Sequence, residues 1–227
     1  MSSARDDILA TLRRSLGVSG SEAPRRSTVD DRLASAPAGI IPARAKVEGA
    51  ARLELFKRHA EEALATVAVV PHADAVPQEA ARYLRDANLP ATLRIGEDAR
   101  LADMPWDATS LEIARGPSAG RDLNALSHAF GGIAETGTLA LVSGPDNPTT
   151  LNFLPDNHIV VVAAADLTGS FEESVDRLRQ RYGKGAMPRS LNLITGPSRS
   201  ADIEQTLILG AHGPRKLHII VVKDEAA

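Results

Sequence analysis

Glu135 stands in the segment Gly131-Gly132-Ile133-Ala134-Glu135-Thr136-Gly137-Thr138, an acid and two hydroxyls set among glycines. Missing side chains at 131, 132 and 137 let the backbone take positive φ angles or approach a ligand closely. A carboxylate in that setting can accept a proton, hold a substrate hydroxyl or amine, or act as a nucleophile. Thr136 and Thr138 add hydroxyls, and the N–H groups around Gly137 can receive an anionic oxygen. The alternative is a tight turn whose glutamate makes an internal hydrogen bond. The glycines do not follow the G-x-G-x-x-G order and no phosphate-loop lysine comes after them, which argues against a nicotinamide dehydrogenase.

Further polar segments lie downstream. Thr195-Gly196-Pro197-Ser198 follows an apolar run, as a ligand loop after a strand would. Ser200 reads as the N-cap of a helix over 201–208, with Asp202 in the first turn where the helix dipole favours an acid. The N–H groups near Ser198 and Ser200 can instead receive a phosphate or carboxylate. Gly210 reads as the end of that helix, and Gly213-Pro214 turns the chain into a final strand, leaving His212 and Arg215 on a short connection. Arg215 can grip a carboxylate through two hydrogen bonds, or brace the last strand against Asp202 or Glu204. His158, at the start of another strand, has a ring that titrates near neutrality and either reaches the same cleft or serves the fold.

The catalytic candidates are therefore Glu135, His158 and His212, and the substrate-binding candidates are Thr136, Gly137, Thr138, Ser198, Asp202 and Arg215. Their spacing is not that of metal ligands, so no metal site is expected. Arg177, Arg179, Arg181, Lys184 and Arg189 form a basic segment, by default a solvated helix end and otherwise a phosphate contact or partner surface. Tyr182 alone makes no stacking platform for single-stranded nucleic acid.

These groups need strands that end beside them. Apolar, β-branched runs at 66–70, 91–95, 138–143, 157–162, 191–194 and 216–222 read as strands, with a weaker one at 110–114. Helical spacing runs through Val47, Ala51, Leu55 and His59, through Ala80, Ala81 and Leu84 after Pro77, and over 171–178. Residues 121–130 fit helix or loop. Continuous β-branched runs separated by helices predict an α/β fold with an open, largely parallel sheet covered by helices on both faces. Ile8, Leu9, Leu12 and Leu16 predict a short amphipathic helix over 4–16, and the Ser-, Pro- and charge-rich stretch 18–40 reads as a flexible arm. Residues 1–44 are thus set apart from a domain at 45–227.

With 43% hydrophobic and 3% aromatic residues, the core of this 227-residue chain must rest on Ala, Val, Leu and Ile. A formal net charge of -3 gives no general attraction to nucleic acid or membranes, and no run is long enough to span a bilayer. With no cysteine, this chain cannot supply thiolate ligands to an iron–sulfur cluster. That fits a cytoplasmic setting, as does the lack of a signal-peptide pattern at the N-terminus.

Taken in order, Gly132–Thr138, Pro155-Asp156-Asn157-His158, the run from Thr195 to Glu204, and Gly210–Arg215 resemble the lactate utilization protein C family. The resemblance covers most of residues 50–223 and the helical N-terminus; Ser200 stands where threonine is commoner, which preserves capping chemistry. It implies a LUD domain with a fold like the nagB/ribose-5-phosphate isomerase/CoA-transferase superfamily. It further implies a non-cluster subunit of an iron–sulfur L-lactate oxidation system, with the clusters in partner subunits, no cofactor held by this chain alone, and a small carboxylate as ligand. Two other readings stand beside it. One is an autonomous acyl-CoA transferase or sugar-phosphate isomerase using Glu135 as nucleophile or base; the other is a structural or regulatory assembly subunit that docks through residues 4–16.

Overall fold

The computed structural model describes residues 3–35, 37, 39–200 and 208–223. Asp202 and Glu204 lie outside them, as does the helix expected over 201–208 apart from Ile208. The chain divides into a unit of residues 1–40 and a unit of residues 41–227.

The first unit holds helices α1 (Ala4–Leu16) and α2 (Ala23–Ser35). Ser3 caps α1 reciprocally with Asp6, and Gly17 ends it in the left-handed conformation. Helix α2 occupies the stretch expected as an arm. It has no apolar period to betray it; the Glu22 carboxylate instead accepts the Ser19 and Gly20 N–H groups (2.6 and 3.0 Å), and Pro24 suits the first turn.

The second unit contains α3 (Gly49–Glu62), β1 (Thr66–Val70), α4 (Val76–Asp86), β2 (Thr92–Ile95), α5 (Ala99–Ala102), β3 (Glu112–Arg115), β4 (Asn124–His128), β5 (Gly131–Ile133), β6 (Thr138–Val142) and α6 (Thr149–Phe153). Then follow β7 (Asn157–Ala163), β8 (Leu167–Thr168), α7 (Phe171–Tyr182), β9 (Leu191–Ile194), β10 (Arg199–Ser200), β11 (Ile208–Leu209) and β12 (Lys216–Val222). A six-stranded open sheet has the order β1-β12-β7-β4-β2-β3, and every pairing in it is parallel. The central strands β7 and β12 are buried on both faces, which is why they read as continuous apolar runs. In β7, Ile159 and Val161 join a cluster with Val76, Ala80 and Leu84 of α4, while Val160 and Val162 join Leu53, Phe56 and Ala60 of α3.

Strands β6 and β9, read with the main strand set, belong to a second sheet of order β8-β5-β6-β9. The four residues between Ile133 and Thr138 are too few for a crossover, so β5 and β6 must run antiparallel. Leu139, Leu141 and Leu167 of this sheet pack into the same apolar cluster as α3. The ambiguous stretch 121–130 supplies β4, buried throughout and flanked by β7 and β2. From β2 the chain proceeds outward to β3, whereas after β4 it returns to the main sheet on the other side at β7, so the sheet has a topological switch point between β2 and β4.

Candidate functional site

A cleft of about 320 Å³ opens where β7 and β12 begin, roofed by the loop after β9 and the turn before β12. Asn152, His158, Thr195, Ser198, His212 and Pro214 line it. His158 is the second residue of β7 and only 1% exposed; Asn152, on α6, is fully buried. Ser127 of β4 connects them. It pairs in register with Val160, two residues on from His158, so the hydroxyl and the imidazole share a face of the sheet.

The hydrogen bonds settle the imidazole tautomer. Ser127 Oγ donates to Asn152 Oδ1 (3.2 Å), which uses the only hydrogen of the hydroxyl. The 3.0 Å contact between Ser127 Oγ and His158 Nε2 therefore has Nε2–H as donor. His158 Nδ1 is left as a bare acceptor, and one end of the amide, Asn152 Nδ2, as a bare donor; both atoms are buried without a protein partner. Burial also lowers the imidazole pKa from 6.5 to about 3, so the ring is neutral at physiological pH.

Ser198 is placed by backbone bonds that stitch the two C-terminal segments together. Its N–H donates to Pro214 O (2.8 Å), and its carbonyl accepts from Gly210 N–H (2.9 Å). Strands β10 and β11 continue this hairpin, so Ser200 is a strand residue paired with Ile208 and not a helix cap. The Ser198 hydroxyl accepts from the His212 N–H at 3.4 Å. Its own hydrogen remains free to donate. The His212 ring belongs to an exposed residue at the mouth of the cleft.

Other expected residues fall elsewhere. Glu135 is buried outside the cleft lining, and its Oε1 accepts the Phe171 N–H at 2.9 Å, closing the start of α7. This is the internal hydrogen bond of the turn reading, made because the first N–H groups of a helix lack partners within it. Gly137 has φ 65°, and a Cβ there would collide with the backbone of His59 and Ala60, so its freedom serves close packing on α3. Arg215 is exposed and lies over Gly210, not in the cleft lining. Thr138 joins the site indirectly. Its hydroxyl lies 2.7 Å from those of Thr136 and Thr195, forming a chain that ends at the cleft wall.

The structure thus brings together His158, Ser198 and His212 and adds Ser127 and Asn152, which sequence reasoning missed. Ser127 carried a faint signal as a polar residue following Ala125-Leu126 in a run that proves to be a strand. Asn152, in a helix of five residues, carried none. Among the described residues no three His, Asp or Glu side chains gather as a metal site would require.

Residues 124–222 match the model of the LUD domain, and every strand and loop of the cleft falls inside that span. The matched span is similar to a LUD domain and carries β4, β7 and β12, the central strands of the open parallel α/β sheet. Among its relatives, lactate utilization protein C of Geobacillus sp. (strain WCH70) is 40% identical over 93 residues, covering 40% of this chain and 39% of the relative. Lactate utilization protein C of Bacillus subtilis (strain 168) is 39% identical over 93 residues, covering 40% and 39%. That of Geobacillus kaustophilus (strain HTA426) is 34% identical over 145 residues, covering 60% of each chain. The match therefore spans from two fifths to three fifths of these relatives' length. The crystal structure of a DUF162 family protein from Deinococcus radiodurans shares the fold, with a TM-score of 0.58 and 24% identity over 78% of this chain and 99% of that one.

Proposed function

We propose that this chain acts in lactate utilization and that the His158–Asn152 cleft binds the hydroxy acid. The observation that carries the reading is the pair of buried, unpartnered atoms in one cleft, an acceptor on His158 and a donor on Asn152. A buried polar atom without a partner costs about 1–3 kcal/mol, which a ligand of matching polarity recovers. A 2-hydroxy acid matches. Its hydroxyl donates to His158 Nδ1, and its carboxylate accepts from Asn152 Nδ2 and from the Ser198 hydroxyl.

The roles divide by environment. His158, held neutral and far below its ordinary pKa, orients the hydroxyl and is a weak base. His212 at the mouth exchanges the proton with solvent. Oxidation of a hydroxy acid to a keto acid releases two protons and two electrons, and the electrons need an acceptor. The 227 residues contain no cysteine, so we place the iron–sulfur clusters in partner subunits and this chain on the substrate side of a cytoplasmic complex. Among the described residues no helix is long and apolar enough to cross a membrane.

Calorimetric titration with L-lactate tests the reading. Asn152→Ala and Ser198→Ala are each expected to weaken binding by about tenfold, the equivalent of one hydrogen bond to a charged group. Unchanged affinity in both variants would sink it. Unchanged lactate growth of cells carrying either variant, with the complex assembled, would favour a purely structural subunit.

A further inference from the structure

A second crevice lies at the opposite edge of the main sheet, beyond the C-terminal ends of β2 and β4. It occupies about 270 Å³ and is lined by Arg100, His128, Phe130, Asn147, Arg181 and Tyr182 among others. This is the switch point described above, where the chain leaves adjacent parallel strands in opposite directions and opens a crevice in the sheet edge.

Its wall presents two acceptors. His128 is 7% exposed at the last position of β4, and its Nδ1–H donates to the Ala129 carbonyl at 2.8 Å. Burial and the nearby Arg100 both lower its pKa, so the ring is neutral and Nε2 carries a lone pair. Asn147 is 5% exposed; its Nδ2 donates to Val142 O (3.0 Å), while Oδ1 is buried with no partner.

The cations are not equivalent. Arg100 is held by Asp98 through two contacts of 3.0 and 2.6 Å. The Asp146 carboxylate accepts the Asn147 N–H at 3.1 Å. Arg181 makes no ion pair among the described residues and lies 5.8 Å from the centres of both the Phe130 and Tyr182 rings, a position that restricts its guanidinium without neutralising it. It belongs to the basic segment that the sequence marked and that the lactate cleft leaves unused.

From these three groups we infer that the crevice is a second ligand site, for a small hydroxylated anion whose hydroxyls donate to His128 Nε2 and Asn147 Oδ1 and whose charge meets Arg181. Sulfate, with no hydrogen to donate at neutral pH, leaves the two acceptors unanswered, and a neutral polyol leaves the guanidinium unanswered. The inference is independent of the lactate reading, because it uses none of the same side chains and the other edge of the sheet.

The test is a titration of the full chain, followed by nitrogen–proton NMR, with glycerol 3-phosphate, 3,4-dihydroxybutanoate and sulfate. Saturable binding of one of the two hydroxylated anions, with shifts at His128 and the Asn147 amide, is expected, and the better of the two identifies the head group. Sulfate should bind at least about tenfold more weakly, for want of two hydrogen bonds. Arg181→Gln, at an exposed position that leaves the fold intact, should weaken binding by about tenfold, whereas Asn152→Ala in the other cleft should not change it. Saturation by neither hydroxylated anion, equal affinity for sulfate, or sensitivity to Asn152→Ala and not to Arg181→Gln would each overturn the proposal.

Discussion

Acidification should destabilise this protein most strongly through His158. The ring is 1% exposed, and burial moves its pKa from 6.5 to about 3. Between those values an unfolded chain takes up a proton that the folded chain refuses, so stability is full above pH 6.5 and falls as the pH drops toward 3. Over the whole window the loss approaches about 5 kcal/mol, at 1.36 kcal/mol per unit. Between pH 7.5 and 5.0 the same linkage gives about 2 kcal/mol, in a range where most carboxylates stay charged. The single tryptophan, Trp106, is buried and donates to Leu101 O at 2.6 Å, so its fluorescence reports urea unfolding directly. The comparison is between wild type and His158→Gln, which retains an amide able to reach Ser127. Wild type should lose about 2 kcal/mol more than the variant between the two pH values. Equal losses would show that this ring does not govern the acid response, and would remove the case for a neutral acceptor in the cleft.

Other expectations follow from packing and charge. Phe56→Ala empties a fully buried position between α3 and the second sheet and should cost about 3–5 kcal/mol in denaturant unfolding. Gly137→Ala places a Cβ against the backbone of α3 at a positive φ; a loss of more than about 1 kcal/mol is expected, and thermal melting measures it. Burial raises the Glu79 pKa, but hydrogen bonds from Arg82 and His218 outweigh it and hold the carboxylate at about 2. Its stabilisation is therefore present above pH 4.5 and lost as the pH falls toward 2, and Glu79→Gln should cost about 1–3 kcal/mol at pH 7 with a flatter acid limb. The variant should also loosen the stacking of Tyr83 on His218, whose rings lie 4.1 Å apart, and near-ultraviolet circular dichroism follows that change.

The main strands were legible because both faces of the parallel sheet are buried, which writes continuous apolar runs such as Ile159–Val162 and Leu217–Val222 into the chain. Helices α3 and α4 were legible through the spacing of their inward residues, and the polar segments between strands were legible as places where a ligand loop can form. Local pattern says nothing, however, about which loop faces which. The Glu135 segment has the residues of a reactive loop, yet its acid turns to the Phe171 N–H because α7 begins beside it. His158 reads as an isolated strand histidine until β4 lies next to β7 and brings Ser127 to its ring, with Asn152 behind the hydroxyl. Helix α2 and the division into two sheets were equally hidden, the first for want of an apolar period and the second because sheet membership depends on partners far along the chain. Residue order alone determined the long apolar strands, most of the helices and the polar segments, since these follow from spacing along the backbone. Tertiary structure alone decided which acceptors and donors were left unpaired at the sheet edges, because a hydrogen bond is satisfied or not by whatever the fold brings within 3 Å.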